Sequence, residues 1–374
     1  MDFALTEEQA AIRDLAAQIL TDQLPPERLR ELEEADADWF AADVWAELAK
    51  ADLLGLCLPE AVGGGGYGAF ELSLLLEQVG RAVAPVPVLA TLALGAQPIA
   101  EFGTDAQQAD LLPKVIDGSL ILTAALSEGG VGLPPEVPAT TATETGDGWS
   151  ITGTKALVPA AHLAGRVLVP AATGDGASTV FLVDPKAAGV TAERNTSING
   201  EPLTTLTFDG VAVGADDVVG QVGGGAEVVA WMLDRALAGL CATQAGVCEA
   251  ALRITATYTS ERKQFDTPIA TFQAVAHRMA DAYIDTEAIR LTAYQAAWRL
   301  DAGMPAGEEL AIAKFWAAEG AERVVHAAQH LHGGIGVDLD YPVHRTFRWA
   351  KHVELTLAGG TTHLQRLGEQ LASS

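Results

Sequence analysis

Arg262 and Lys263 are adjacent cations in a chain of 374 residues whose 49 acidic against 23 basic side chains give a formal net charge of −26. An arginine offers a forked, charge-assisted set of donors that matches a pyrophosphate. Residues 258–265 are therefore a place where a polyanion such as a nucleotide can meet basic side chains against the overall field. The glycine pair Gly333-Gly334 would let backbone amides approach such a ligand with no Cβ in the way. Taken singly, Arg262 reads equally well as a solvated helix residue and Gly333-Gly334 as a helix stop.

The elements that must position these residues follow from pattern. Residues 1–118 are rich in Ala, Leu and Glu, with apolar positions at helical spacing in LTEEQAAIRDLAAQIL and FELSLLLEQVGRAV. Thr6 followed by Glu7, Glu8 and Gln9 predicts a capped helix start. Gly63 to Gly66 are four consecutive glycines, which a helix accommodates only at about 1 kcal/mol each; they predict a turn between helices, with a direct ligand contact as the alternative. Residues 119–218 change to short alternating runs such as WSITGTKALV and LTTLTFDGVAV, which predict a small antiparallel β domain. Residues 219–374 return to long Ala-rich helices, for example GAEVVAWMLDRALAGLCATQAGVCEAALRITATYTSERKQF, with a second starting near Thr271, and predict a helical bundle.

Composition excludes several classes. A strongly acidic chain lacks the clustered cations that phosphate backbones demand, so nucleic acid is not expected as a partner. No apolar run approaches the roughly 18–20 residues of a membrane span, and no signal peptide is evident, so the expectation is a cytoplasmic protein. Cys57, Cys241 and Cys248 form no CxxC pair and read as buried thiols, with no metal site expected. Gly223, Gly224 and Gly225 precede a helix without the strand context of a dinucleotide fingerprint.

Two stretches carry a specific likeness. YTSERKQFDTPIATFQAVAHRMAD, with Arg262, Phe265, Pro268, Ile269, Phe272, Gln273 and His277, resembles the signature of acyl-CoA dehydrogenases. QHLHGGIGVDLDYPVHRTFRWAKHVELTLAGGTTHLQRLGEQL resembles the C-terminal signature of the same family, with its Gly-Gly turn and Tyr-Pro segment. The resemblance implies a mainly α, three-domain fold: a helical domain, a central β-barrel-like domain and a four-helix bundle that builds dimers and tetramers. It also implies FAD lying between the β domain of one subunit and the bundle of its neighbour. On matching positions, Arg262 and Phe265 would hold the pyrophosphate and adenine end of a neighbour's FAD. Gln273, His330, Gly333 and Gly334 would close that half-site, with Ser127 and Thr361 as further contacts. His330 stands where the family usually has Gln.

The sequence departs from the family where chemistry is expected. Removing the α proton of an acyl thioester needs a positioned carboxylate, worth roughly 10²–10⁴ in rate for ordinary general bases. The motif resembling Tyr-Glu-Gly-Thr reads Ala358-Gly359-Gly360-Thr361 here, so Gly359 replaces the base. The alternative location on the first bundle helix falls on Ala236, followed by Leu237 where an Arg is common. In the β domain, the stretches matching Thr-Glu-Pro, a Gly-Ser-Asp turn and Trp-Ile-Thr read Leu126-Ser127-Glu128-Gly129-Gly130, VGLPPEVPA and Lys155-Ala156-Leu157-Val158-Pro159, without the aromatic platform for the flavin ring.

The chain therefore resembles the subunit without a base in the heterotetrameric (α2β2) acyl-CoA dehydrogenases of actinobacterial steroid side-chain degradation. That resemblance implies FAD shared with a homologous subunit carrying the catalytic Glu, an acyl-CoA substrate and an acceptor like electron-transfer flavoprotein. Two other readings remain open: a self-sufficient homotetrameric flavoenzyme whose base is displaced to Asp234, Glu354 or His363, and a flavin-less scaffold that keeps only the fold.

Overall fold

A computed structural model describes residues 3–35, 38–129, 132–174 and 176–373, with the side chain of Ser373 left aside. Gly130 and Val131, which belong to the stretches compared with the family's Thr-Glu-Pro and Gly-Ser-Asp segments, lie outside the described residues. The chain groups into two compact bodies, one formed by residues 1–31, 69–84 and 237–374, the other by residues 32–68 and 85–236.

The first body is helical. Glu7–Gln23 starts as its sequence predicts: Thr6 and Gln9 exchange side-chain to backbone hydrogen bonds in a complete capping box. The helix Gly225–Glu261 enters this body from residue 237 onward. It crosses Ala69–Arg81 at paired glycines, where a Cβ on Gly80 would strike the Thr243 carbonyl and one on Gly246 the Glu77 carbonyl. Close approach of two backbones is the physical reason for both glycines. The crossing is tied by Glu77, which accepts from Arg290 Nε (3.0 Å) and Tyr294 Oη (2.6 Å), while Arg290 also donates to Glu249 (2.9 Å). These partners sit on Gln273–Asp301, whose last residue turns back so that the Asp301 carboxylate accepts from the amides of Ala69 and Phe70.

Gly307–Phe315 continues through a π-helical turn, Trp316–Gly320, into Ala321–His332; Val343–Leu355 and Gly360–Ser373 complete the body. Cys241 and Cys248 lie fully buried seven residues apart on one helix. Burial pushes the Cys241 thiol up to about 12, the nearby Lys314 cation offsetting part of the effect.

The second body holds an eight-stranded sheet. In spatial order it runs Val190–Thr196, Pro202–Gly214, Gly148–Pro159, Thr141–Thr145, Arg166–Gly174, Ala177–Val183 and Val218–Val219. The sheet is not wholly antiparallel as the sequence predicts. Leu122–Ala124 pairs parallel with Arg166–Gly174, and Thr141 pairs parallel with Ala172. Parallel partners belong to distant segments joined through other structure, so local alternation carries no trace of them.

Pro202–Gly214 shows alternation and its interruption together. Thr204, Leu206 and Phe208 face the interior; then Gly210, at φ 63°, slips the register so that Val211 and Val213 take over the inward positions. The glycine run Gly63–Gly66 is a turn: the Gly64, Gly65, Gly66 and Tyr67 amides donate to the carbonyls of Pro59, Gly55, Leu58 and Leu56. With those amides turned inward, the loop does not present a donor nest to a ligand.

Candidate functional site

Arg262, Phe265 and Gln273 come together at the corner where Gly225–Glu261 hands over to Gln273–Asp301. Between them Lys263–Gln264 pairs antiparallel with Thr267–Pro268. The hairpin is closed by Phe265 and Asp266, both left-handed at φ 53° and 62°. Such φ values are uncommon for side chains with a Cβ. The Arg262 carbonyl accepts from the Ile269 amide (2.9 Å), and its own amide donates back to the Tyr258 carbonyl (2.8 Å). The effect is to project Phe265 into solvent with 91% of its surface exposed, its ring edge-on to Phe272. Arg262, Lys263 and Gln273 are exposed as well.

His330, Gly333 and Gly334 lie at the end of Ala321–His332, all exposed. Gly333 ends the helix at φ 63°, ψ −137°, a conformation open to glycine, and its amide donates to the Gln329 and His330 carbonyls. A Cβ on Gly334 would meet nothing within 4 Å. Two sets of residues far apart in sequence are brought to one corner by a ring stack: Tyr258, one turn before Arg262, lies on His332, the residue before Gly333, with centroids 4.5 Å apart and planes 23° from parallel. Sequence reasoning missed His332. The signal was present in the motif LHGG, yet nothing local says that the imidazole turns inward.

The turn carrying Gly359 lies between Val343–Leu355 and Gly360–Ser373. Leu357 and Ala358 are both left-handed, at φ 54° and 73°. Buried groups hold them there. Lys314 Nζ donates to the carbonyls of Val353 (2.7 Å) and Glu354 (3.0 Å), closing the helix end, and His363 Nε2 donates to the Leu357 carbonyl (2.8 Å). Burial lowers Lys314 to about 8, Cys241 and Glu354 offsetting part of the effect. Burial also lowers His363 to about 4, its Leu357 bond opposing that and the Lys314 and Arg366 charges adding to it. A Cβ on Gly359 would enter open space, so glycine is not demanded there by packing. Thr361 is exposed in the following turn, on this element rather than at the Arg262 corner.

Of the alternative proton acceptors, His363 is fully buried with its Nε2 committed, and Glu354 is paired with Lys351 Nζ at 2.7 Å. Asp234 is half-buried on Gly225–Glu261, two residues before the fully buried Ala236. A carboxylate that the sequence reading passed over is nearer to the turn: Glu319 Oε1 stands 3.2 Å from the point a Cβ on Gly360 would occupy. It lies on the π-helical turn Trp316–Gly320, remote in sequence from Gly360, so nothing local relates the two.

In the sheet body, Ser127 is half-buried and bridges Ala156, whose amide donates to the Ser127 carbonyl (2.8 Å). The Pro159 carbonyl accepts from Thr123 Oγ1 (2.7 Å). Between them Leu157 is left-handed at φ 55°. Beneath this edge Lys155 and Glu128 form a buried ion pair at 2.7 Å. Burial alone would raise the Glu128 carboxyl, but Lys155 and the bonds from Thr140 and Ala139 outweigh it and hold the group below the usual range. Among the described residues no cluster of three His, Cys, Asp or Glu is placed to hold a metal ion, and no helix is long and apolar enough to cross a membrane.

Comparison with known proteins gives a consistent result. Models of the N-terminal, middle and C-terminal domains of acyl-CoA dehydrogenases match residues 6–119, 123–211 and 223–368. The acyl-CoA dehydrogenase FadE27 of Mycobacterium tuberculosis is 39% identical, with 100% of each chain covered. Among solved structures, the ChsE4-ChsE5 complex from Mycobacterium tuberculosis is 37% identical with a TM-score of 0.91, covering 100% of both chains. A variant of the Tcur3481-Tcur3483 steroid ACAD is 46% identical with a TM-score of 0.90, covering 98% of both.

Proposed function

The chain belongs to the acyl-CoA dehydrogenase family, and from that premise we propose that it is the subunit without a base in a heteromeric acyl-CoA dehydrogenase, completing an FAD site held chiefly by a homologous partner. The observation that carries this reading is Gly359: where the family's carboxylate is expected, the chain keeps a pinned turn with room for a side chain and supplies none. In the same proposal the functional division is 1–118, 119–218 and 219–374.

The Arg262 corner suits the adenine and pyrophosphate end of FAD. An exposed guanidinium, an exposed aromatic ring and a Gly-Gly turn with no atom above Gly334 provide charge, a stacking face and close backbone approach. Gln273 and His330 stand exposed at its rim. The Ser127–Ala156 edge suits the flavin ring poorly, since the Ala156 amide is bonded to the Ser127 carbonyl, Pro159 has no amide to offer, and Lys155-Ala156-Leu157 brings no aromatic ring. FAD, when bound, accepts the β hydride of an acyl-CoA; this chain's own part is to bind and orient the nucleotide, while the α proton goes to the partner's carboxylate. The names of the steroid ACAD and of the ChsE4-ChsE5 complex support a steroid-derived acyl-CoA and a mixed oligomer; an acceptor like electron-transfer flavoprotein and a cytoplasmic location complete the proposal.

Expression of the chain alone gives a protein nearly free of flavin and inactive toward acyl-CoA; co-expression with the homologous subunit gives a yellow, active complex. A yellow and active single chain would end this reading. Glu319 favours a second one, a self-sufficient enzyme with a displaced base, for which Glu319→Gln in that single chain would abolish turnover.

A further inference from the structure

His332, Tyr258 and Tyr341 meet as three rings beneath the nucleotide corner. His332 is stacked on Tyr258 and lies 5.1 Å from Tyr341 at 53°, while the two tyrosines are 6.1 Å apart at 68°. Each ring brings a different segment. Tyr258 ends the long helix one turn before Arg262, His332 precedes Gly333, and Tyr341 opens the Tyr-Pro segment ahead of Val343–Leu355. The only buried member is the imidazole, at 4% exposure. Its Nδ1 donates to the Ala328 carbonyl (2.7 Å), so the neutral ring carries its lone pair on Nε2, which is buried with no hydrogen-bond partner among the described residues.

We infer that His332 is the positioning residue of the nucleotide half-site: its neutral ring fixes the spacing between Arg262 and the Gly333-Gly334 turn, and flavin is released when the ring takes a proton. This rests on the reading of the Arg262 corner as the FAD half-site. The groups facing the ring are Tyr258 on one side, Tyr341 on the other and the Ala328 carbonyl on its own helix, with Glu261 reaching the cluster through its field on Tyr341. Among the described residues no acceptor faces Nε2, so a second ring proton has no place to bond. Burial accordingly holds the His332 pKa below the ordinary imidazole value, the Ala328 bond offsetting part of the effect. The sign follows: the stack is intact above about pH 6.5 and weakens as pH falls below it.

The test uses the complex of this chain with its homologous subunit, reading bound flavin by absorbance after gel filtration between about pH 8 and pH 5.5. The wild-type complex loses flavin affinity by up to about tenfold over this range, whereas His332→Phe, which keeps a stacking ring and cannot titrate, gives a flat profile. His332→Ala retains less flavin at every pH; should it fail to fold, the wild-type and His332→Phe profiles decide alone. Parallel profiles for wild type and His332→Phe overturn the inference while leaving the half-site reading standing, provided Arg262→Ala strips the flavin. If Arg262→Ala retains full flavin, the half-site reading itself falls, and the inference with it.

Discussion

The Arg262 corner of the helical body and the Ser127–Ala156 edge of the sheet body differ in what their polar groups are doing. At the corner, Arg262, Gln273, His330, Gly333 and Gly334 are exposed and a phenyl ring stands in solvent with nothing over it. At the edge, carbonyls and amides are bonded to one another, and the charges beneath are buried as a pair. An exposed aromatic on a strained hairpin is costly for a finished monomer and useful only against another molecule. A backbone group already bonded within the chain, as the Ala156 amide and the Pro159 carbonyl are, has little to exchange with a ligand. Openness on one side and closure on the other is what a chain serving a neighbour's cofactor requires.

Experiments can break or sharpen that contrast. The largest effect is expected at the closed edge: Lys155→Met strands the Glu128 carboxylate in the interior and costs about 3–5 kcal/mol in thermal or denaturant unfolding. An unchanged midpoint would mean the edge is not held by this pair.

Next comes acid titration of stability. His363 stays neutral down to about pH 4 when folded but takes its proton near 6.5 when unfolded, so stability present above pH 6.5 declines as pH falls to about 4. The loss from this group is on the order of 3 kcal/mol, and His363→Gln flattens the decline in urea unfolding followed against pH.

At the open corner, Arg262→Ala removes a charge-assisted contact and lowers FAD retention by the complex about 10–100-fold, read as flavin per complex, without shifting the unfolding midpoint of the chain alone. The smallest effect is expected for Gly359→Glu, which changes stability by no more than about 0.5 kcal/mol because the new side chain enters open space. The variant chain alone remains flavin-free and inactive. Activity from it by itself would show that the sheet edge accepts a flavin ring after all, and the comparison would lose its second half.

Much of this was legible in the sequence because it is local. Thr6 and Gln9 sit three apart and cap, the unbroken Ala-rich stretch up to Glu261 forms one helix, and the glycines of 63–66 make a turn. The Arg262 and Gly333-Gly334 motifs led to one exposed corner by resemblance, while the physics that joins them, the Tyr258–His332 stack, spans segments that no periodicity relates. Parallel pairing of Leu122–Ala124 with Arg166–Gly174 was hidden for the same reason. His363 read as a candidate displaced base and Lys314 drew no reading at all, and only the fold shows both turned inward to grip the Gly359 turn. Glu319 escaped because it is remote from Gly360 in the sequence and no local pattern relates the two.

The space above Gly359 also bears on how this lineage can change. Glycine and glutamate codons such as GGA and GAA differ by one base, and nothing packed around the position would resist the exchange. A point mutation could therefore return a carboxylate to the turn at almost no structural penalty. If the chain does serve a partner as proposed, what keeps the two interdependent then resides at the sheet edge, which an exchange at Gly359 leaves untouched. Division of labour of this sort is easily entered and slowly left, because its reversible step and its irreversible one sit in different parts of the gene.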